Sequence, residues 1–237
     1  MKSFELRPTP ENLKRTFVEN AIGRNQDICQ FAMLLDSIED SCSIALDDNW
    51  GSGKTFFVEQ LKMVLEAHNP TYSTLEEDDA KEINNASNMY FREADLQPQV
   101  CVYYDAWQND NNEEPILSLI YAILSEVGEM AGDELFKKKN SLIEKVACLA
   151  NVFSGRDIKQ FFDSLKKENQ LDVIKNRKDT ETAVAEFLDA LIPERGNRLV
   201  IIIDELDRCK PSYAVQLLEQ IKHYFSNDRI TFVFSVN

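Results

Sequence analysis

Residues 43–55 read SIALDDNWGSGKT, a short apolar run followed by a polar turn and a glycine-containing loop. A short apolar run at residues 43–46 leads through a polar turn to Gly51-Ser52-Gly53-Lys54-Thr55. The residues that follow predict a helix over 54–68, because its apolar side chains recur at helical spacing: Phe57, Leu61, Val64 and His68. A strand, a glycine-containing loop and a helix in this order are typical of a phosphate-binding loop.

Each residue type in this loop suits a nucleotide phosphate. Gly51 and Gly53 let backbone N–H groups approach phosphate oxygens closely, and the start of the helix adds positive potential. We expect Ser52 to contribute to the same cradle, Lys54 to reach the β and γ phosphates, and the Thr55 hydroxyl to coordinate Mg²⁺.

Asp48 and Trp50 are two further residues of this segment that affect phosphate binding or the packing of the loop. The complete motif GxxxxGK[ST] requires a glycine where Asp48 stands. Aspartate tolerates a left-handed backbone better than most residues, so the turn is expected to survive, although the carboxylate repels phosphate. Trp50 either packs the loop onto the domain or contacts the nucleotide or a partner.

A second motif follows the apolar run at residues 199–203, LVIII, which predicts a strand buried on both faces. This run continues into Asp204-Glu205-Leu206-Asp207-Arg208. In this Walker B arrangement Asp204 is expected to hold Mg²⁺ through water near Thr55. Glu205 is expected to polarise the attacking water as a general base, and Asp207 is the alternative for that role.

Four further residues follow predicted strands and have two interpretations each. Arg208 either pairs with Asp207 or faces phosphate, including that of a neighbouring subunit. Asn237, after the last strand, either orients the lytic water or only caps the strand. Asp105 and Trp107, after the second strand, have either a structural or a functional role.

The remaining pattern predicts an α/β fold with a parallel sheet. Strands are expected at residues 99–104 and 230–236, and helices at 115–130 and 182–192, the latter ended by Pro193. A further helix begins at Pro211, with one apolar face: Val215, Leu218, Ile221 and Phe225. We expect a single domain over residues 1–237, with an acidic surface insertion at 71–98 and a helical insertion at 131–198.

Composition limits the partners and the compartment. The 237 residues carry a net charge of −15, which gives no support to direct binding of nucleic acid. Five cysteines, an odd number without a CxxC pair, favour a reducing compartment, and we expect a cytoplasmic protein. No apolar run reaches the ~20 residues that a transmembrane helix needs.

The motifs together resemble the KAP family of P-loop NTPases, a branch of the additional-strand ATPases. The matching segments are Ile22-Gly23-Arg24, Trp50 to Thr55, Asp105-Ala106-Trp107 with Asp110, and IDELDRCKP at residues 203–211. The resemblance implies a three-layer P-loop fold in which the sensor strand flanks the Walker A strand and the Walker B strand is next. It also implies that Gly23 and Arg24 sit near the adenine.

The resemblance has further implications. Many relatives carry transmembrane helices between the Walker motifs, whereas this chain has a helical insertion without such a run. Some bacterial members are linked to phage exclusion, which suggests a defence or signalling assembly. The family continues beyond the sensor strand with a fifth strand and a C-terminal region, so this chain is expected to lack both and to have low activity alone.

Three functions remain open from the sequence. The first is an ATPase whose hydrolysis drives a conformational switch, with a protein partner or self-association. ATP is favoured over GTP, because the run NRKD at residues 176–179 precedes the acidic strand, whereas a guanine-reading motif follows it. The second is a nucleotide-binding scaffold with little turnover, and the third is an interaction module without nucleotide.

Overall fold

The computed structural model describes residues 6–91, 96–112, 114–127, 142 and 173–237. The chain divides into two compact units. The first comprises residues 1–103, 195–204 and 229–237, and the second comprises residues 104–194 and 205–228. More than half of the helical insertion expected at 131–198, namely residues 131–141 and 143–172, lies outside the described residues.

A four-stranded parallel sheet forms the centre of the first unit. Its strands are β1 (Cys42–Asp47), β2 (Gln99–Asp105), β3 (Arg198–Asp204) and β4 (Ile230–Val236), in the order β1-β4-β3-β2. Ala45 and Ile203 both pair with Phe234, so β1 and β3 run level on either side of β4. The strand order that the family resemblance implied is therefore confirmed, as is the α/β fold with a parallel sheet.

The burial of each strand follows from its position and residue types. β3 is buried along its whole length, as its apolar and β-branched run predicts. Its first residue, Arg198, is also buried, and its guanidinium donates to the backbone oxygens of Ile38 and Asp40 and to Thr231 Oγ1. β1 alternates between half-buried and exposed residues, as a strand at the edge of the described sheet does.

Four helices complete the described part of the first unit: α1 (Pro10–Val18), α2 (Asn25–Asp36), α3 (Lys54–Ala67) and α4 (Glu77–Asn88). α1 begins at a proline, and Oγ1 of its N-cap Thr9 accepts the Asn12 N–H. α3 packs against α1, α2 and α4. It is therefore buried on more faces than its apolar spacing predicted, and even Gln60 and Glu66 are buried.

The second unit contains α5 (Pro115–Val127), most of α6 (Val173–Arg195), a 3-10 turn (Leu206–Arg208) and α7 (Pro211–Tyr224). α5 and α7 pack together, and the Gln220 side chain joins them by accepting the Ile116 N–H and donating to Glu114. In the part of the chain that the structure describes, no helix combines the length and the apolar character that crossing a membrane requires.

Two expectations from the sequence need correction. Pro193 lies inside α6, which continues to Arg195, so the proline does not end the helix. Of the four residues expected on the apolar face of α7, Ile221 and Phe225 are buried, but Val215 and Leu218 are exposed. The other buried residues of the helix are Tyr213, Leu217 and Tyr224. The acidic stretch at 71–98 contains α4, a helix that the pattern did not reveal.

Candidate functional site

The loop between β1 and α3 lies at the carboxyl edge of the sheet. Gly51 and Gly53 have φ values of 80° and 87°, in the left-handed region that favours glycine. A Cβ at either position would meet no atom within 4 Å, so backbone conformation, not space, requires glycine there. Gly53 is the N-cap of α3, which places the amino end of the helix next to the loop.

Lys54 folds over this loop. Its Nζ donates to the backbone oxygens of Asp48, at 2.5 Å, and Asn49, at 3.2 Å, and also to Oδ1 of Asn237. Asn237 follows β4, the strand that lies beside β1 in the sheet. Lys54 therefore joins the loop after β1 to the end of β4, although the two are far apart in sequence. The structure thereby brings two of the residues singled out in the sequence, Lys54 and Asn237, into direct contact.

Asp48, which stands where the motif has glycine, is exposed and carries a lowered pKa. The main cause is the hydrogen bond from the Asn49 N–H to Asp48 Oδ1, and the charges of Lys54 and Arg24 act in the same direction. The φ of Asp48 is not in the left-handed region, so the turn does not depend on the tolerance expected of aspartate. Arg24 is close enough for its charge to act on this loop.

Trp50 is 69% exposed. It lines an open cavity of about 370 Å³ beside the loop, together with Asp47, Asp48, Asn49 and Asn237. A large exposed aromatic at such a place suits contact with a ligand or a partner.

Asp204 ends β3 at the same edge of the sheet. Its carboxylate is buried, and Oδ2 accepts a hydrogen bond from the Tyr103 hydroxyl at 3.0 Å. Tyr103 was missed in the sequence, where it is only one of two tyrosines near the end of a predicted strand. Its role depends on β2 lying beside β3, which the local pattern does not reveal.

The carboxylates after Asp204 belong to the second unit. Glu205 has a φ of 59°, a conformation rare for a residue with a side chain, and its carboxylate forms an ion pair with the Arg208 guanidinium. That guanidinium also lies over the Trp107 ring, 5.4 Å from its centroid. Arg208 was expected to pair with Asp207 or to face phosphate, and Glu205 is a partner that the sequence did not indicate.

The other residues after β2 have structural partners in the second unit. Asp105 accepts the backbone N–H and the side-chain amide of Gln108, which closes a turn. Asp110 accepts the backbone N–H of Lys210. Residues 105–107 and 207–210 are in contact within this unit, because the Arg208 guanidinium lies over the Trp107 ring.

Thr55 and Asp204, the two residues expected to hold Mg²⁺, both offer oxygen atoms, which Mg²⁺ prefers as ligands. Within the described residues no group of three or more His, Cys, Asp and Glu side chains is placed to hold a metal.

The fold and the loop define a P-loop domain. The model of the KAP family P-loop domain matches residues 24–237, and the chain belongs to this family. No curated protein matches the chain at a significant level.

Proposed function

We propose that the protein binds Mg·ATP at the loop of residues 51–55 and hydrolyses it to drive a conformational switch. The observation that carries the proposal is the meeting of three features at one edge of the sheet. These are a glycine loop capping α3, Lys54 in contact with Asn237, and the buried carboxylate of Asp204. Ligands of parallel α/β sheets bind at this edge.

The proposed roles follow from these positions. The phosphates would be bound by the backbone of Gly51, Ser52 and Gly53 and by the amino end of α3. Lys54 would then donate to phosphate oxygens in place of the backbone oxygens that it contacts in the structure. Thr55 and Asp204 would hold the cation, which neutralises the charge on the transferred phosphate.

The remaining proposed roles concern the water and the base. Glu205 would take the proton of the attacking water, with Asp207 as the alternative, and Asn237 would orient that water through its amide. Arg24 and Gly23, just before α2, and the exposed Trp50 would contact the nucleoside.

A nucleotide-binding scaffold with little turnover is the second candidate. Two observations favour it: the Glu205 carboxylate is engaged by Arg208, and the Asp48 carboxylate lies beside the loop where phosphate would bind. Either function suits a switch that changes shape with its nucleotide, in an assembly for defence or signalling.

Two substitutions separate binding from hydrolysis. Lys54→Ala should weaken Mg·ATP binding by about 100-fold or more, because the lysine meets phosphate charge in the ground state. Glu205→Gln should retain binding but slow hydrolysis by about 10²–10⁴-fold, since the base acts only on the water. Binding is measured with a fluorescent ATP analogue and hydrolysis by phosphate release.

The matched controls are Lys62→Ala, on the same helix as Lys54, and Glu219→Gln, on the exposed side of α7. Neither should change binding or hydrolysis more than twofold. Wild-type affinity in Lys54→Ala would overturn the nucleotide site. Binding without measurable turnover in the wild type would favour the scaffold.

A further inference from the structure

The Trp107 ring is in contact with Arg208 inside the second unit. The Arg208 guanidinium lies over the ring, 5.4 Å from its centroid. A cation within about 6 Å of an aromatic centroid is attracted to the face of the ring, and tryptophan attracts cations more strongly than tyrosine or phenylalanine does. The ring therefore favours this position of the guanidinium over others.

The same guanidinium forms an ion pair with the Glu205 carboxylate. The two residues come together in the 3-10 turn at residues 206–208, where the Arg208 N–H donates to the Glu205 backbone oxygen at 3.1 Å. The Glu205 side chain is only 17% exposed, so water screens the pair incompletely. Arg208 thus connects an aromatic ring to the carboxylate of the proposed general base.

Hydrogen bonds fix the turn that carries the tryptophan. Asp105 accepts the backbone N–H of Gln108 at 2.9 Å and its side-chain amide at 2.8 Å. Farther along, Asp110 accepts the backbone N–H of Lys210 at 3.3 Å. The ring and the guanidinium therefore lie on two segments that are held together by other contacts as well, which keeps the ring in place beside the guanidinium.

Trp107 is 50% exposed. A tryptophan that fills a core is almost completely buried, and its replacement leaves a cavity. Replacement of this half-exposed residue removes the face on which the guanidinium rests and opens much less buried space. Trp107 is therefore better suited to orienting Arg208 than to filling the core.

We propose that Trp107 is a positioning residue whose ring holds the Arg208 guanidinium on Glu205 and thereby keeps the proposed base occupied. This role rests on the proposed function, in which Glu205 takes the proton of the attacking water. When the guanidinium leaves the ring, the carboxylate can accept that proton. An attraction of this kind at a partly exposed site changes the population of the paired state by about two- to fivefold.

The Arg208 Nε–H proton reports on this contact in the absence of ATP. Its NMR signal in the full chain is identified by its loss in Arg208→Gln. We expect the Trp107 ring to shift this signal upfield, and we expect exchange with water about fivefold slower than for the exposed Arg7. A signal with the shift and the exchange rate of Arg7 would overturn the proposal whatever the variants do.

Trp107→Leu removes the aromatic face, whereas Trp107→Phe keeps a ring. Exchange of the Arg208 proton should become about two- to fivefold faster in Trp107→Leu and change less than about 1.5-fold in Trp107→Phe. The control is Tyr121→Leu, which removes another partly exposed aromatic side chain of the same unit and should leave the exchange rate unchanged. Equal exchange rates in the wild type and Trp107→Leu would show that the ring does not hold the guanidinium.

Turnover measurements test whether the position of Arg208 limits the base. At saturating ATP, Trp107→Leu should raise the rate of phosphate release about two- to threefold with KM unchanged. The same substitution should have no further effect in Arg208→Gln, because the two residues act through one contact. An equal gain in both backgrounds, or no gain in either, would overturn the proposal.

Failure of the proposed function has a different signature. An absence of turnover in the wild type and in these variants would overturn hydrolysis at this site. The exchange rates of the Arg208 proton would still decide whether Trp107 holds the guanidinium on Glu205, because that measurement needs no ATP.

Discussion

The Tyr103 hydroxyl donates a hydrogen bond to Oδ2 of Asp204 across 3.0 Å and thereby joins the ends of β2 and β3. Asp204 is buried, so the hydrogen bond constrains the orientation of its carboxylate. If Asp204 holds Mg²⁺, Tyr103 positions that carboxylate without touching the cation itself. Partners of this kind commonly tune metal affinity.

Tyr103→Phe should raise the Mg²⁺ concentration needed for half-maximal ATP hydrolysis by about tenfold, within the range typical of such partners. The rate at saturating Mg²⁺ should change less than twofold, because the substitution leaves the reacting groups in place. A Mg²⁺ titration of the ATPase rate separates the two quantities. Tyr121→Phe, on α5, is the control, and a loss of rate that Mg²⁺ cannot restore would contradict the positioning role.

The ion pair between Glu205 and Arg208 should hold back hydrolysis, because the guanidinium occupies the carboxylate that would accept the proton of the water. Arg208→Gln should therefore raise the turnover rate by about two- to fivefold without changing ATP affinity. Steady-state phosphate release at saturating ATP measures this rate. Arg15→Gln, an exposed arginine of α1, is the control.

A lower rate in Arg208→Gln would point to the other interpretation, in which Arg208 stabilises phosphate charge. Repeating the measurement over a range of protein concentrations then shows whose phosphate it contacts. A rate loss that appears only at high concentration would indicate a neighbouring copy of the chain.

Removing the charge of Asp48 should tighten ATP binding. Because the pKa of Asp48 is lowered, the carboxylate is ionised at neutral pH and repels phosphate. The residue is exposed, so water and salt screen this repulsion, and we expect a gain of only about threefold for Asp48→Asn. Asp48→Gly, which restores the motif, should tighten binding similarly.

The salt dependence of the gain in ATP affinity tests whether charge repulsion causes it. Fluorescent ATP-analogue titrations at about 0.05 M and 1 M salt should show the gain at low salt and its loss at high salt. Asp78→Asn, an exposed aspartate on α4, should show no gain at either salt concentration. A gain that persists at 1 M salt would mean that backbone conformation, and not charge, limits the wild type.

Glu66 should make the stability of the protein pH-dependent. Burial raises the pKa of its carboxyl above the ordinary value of 4.5. The folded state therefore favours the protonated form, and the contribution of Glu66 to stability is largest below pH 4.5 and is lost as the pH rises through the raised pKa. Glu66→Gln does not titrate, so it should be more stable than the wild type at pH 7.

Thermal unfolding measures this difference. We expect Glu66→Gln to raise the Tm by about 2–4 °C at pH 7, a shift that corresponds to about 1 kcal/mol in a chain of this size. The difference in Tm between Glu66→Gln and the wild type should disappear as the pH falls toward 4.5. Glu77→Gln should not raise the Tm at pH 7, since Lys81 lowers the pKa of Glu77 and so favours its ionised form. If the Tm difference between Glu66→Gln and the wild type does not change with pH, titration of Glu66 is not its cause.

Several features were predictable from the sequence, because local spacing decides them. The strand and loop before α3 need only an apolar run, two glycines and a helical repeat, and the structure has β1 at Cys42–Asp47 and α3 at Lys54–Ala67. β3 was equally clear, since residues 199–203 are all apolar. The order of the strands came from the resemblance to a family and not from spacing.

The contacts of the site were decided by tertiary structure. Lys54 contacts Asn237, and Tyr103 contacts Asp204, only because β4 lies beside β1 and β2 lies beside β3. The sequence alone showed residue types suited to phosphate and Mg²⁺ at the ends of four strands. Which side chains meet depends on strand pairing over more than a hundred residues, and such pairing is governed by the burial of whole faces, which no local pattern encodes.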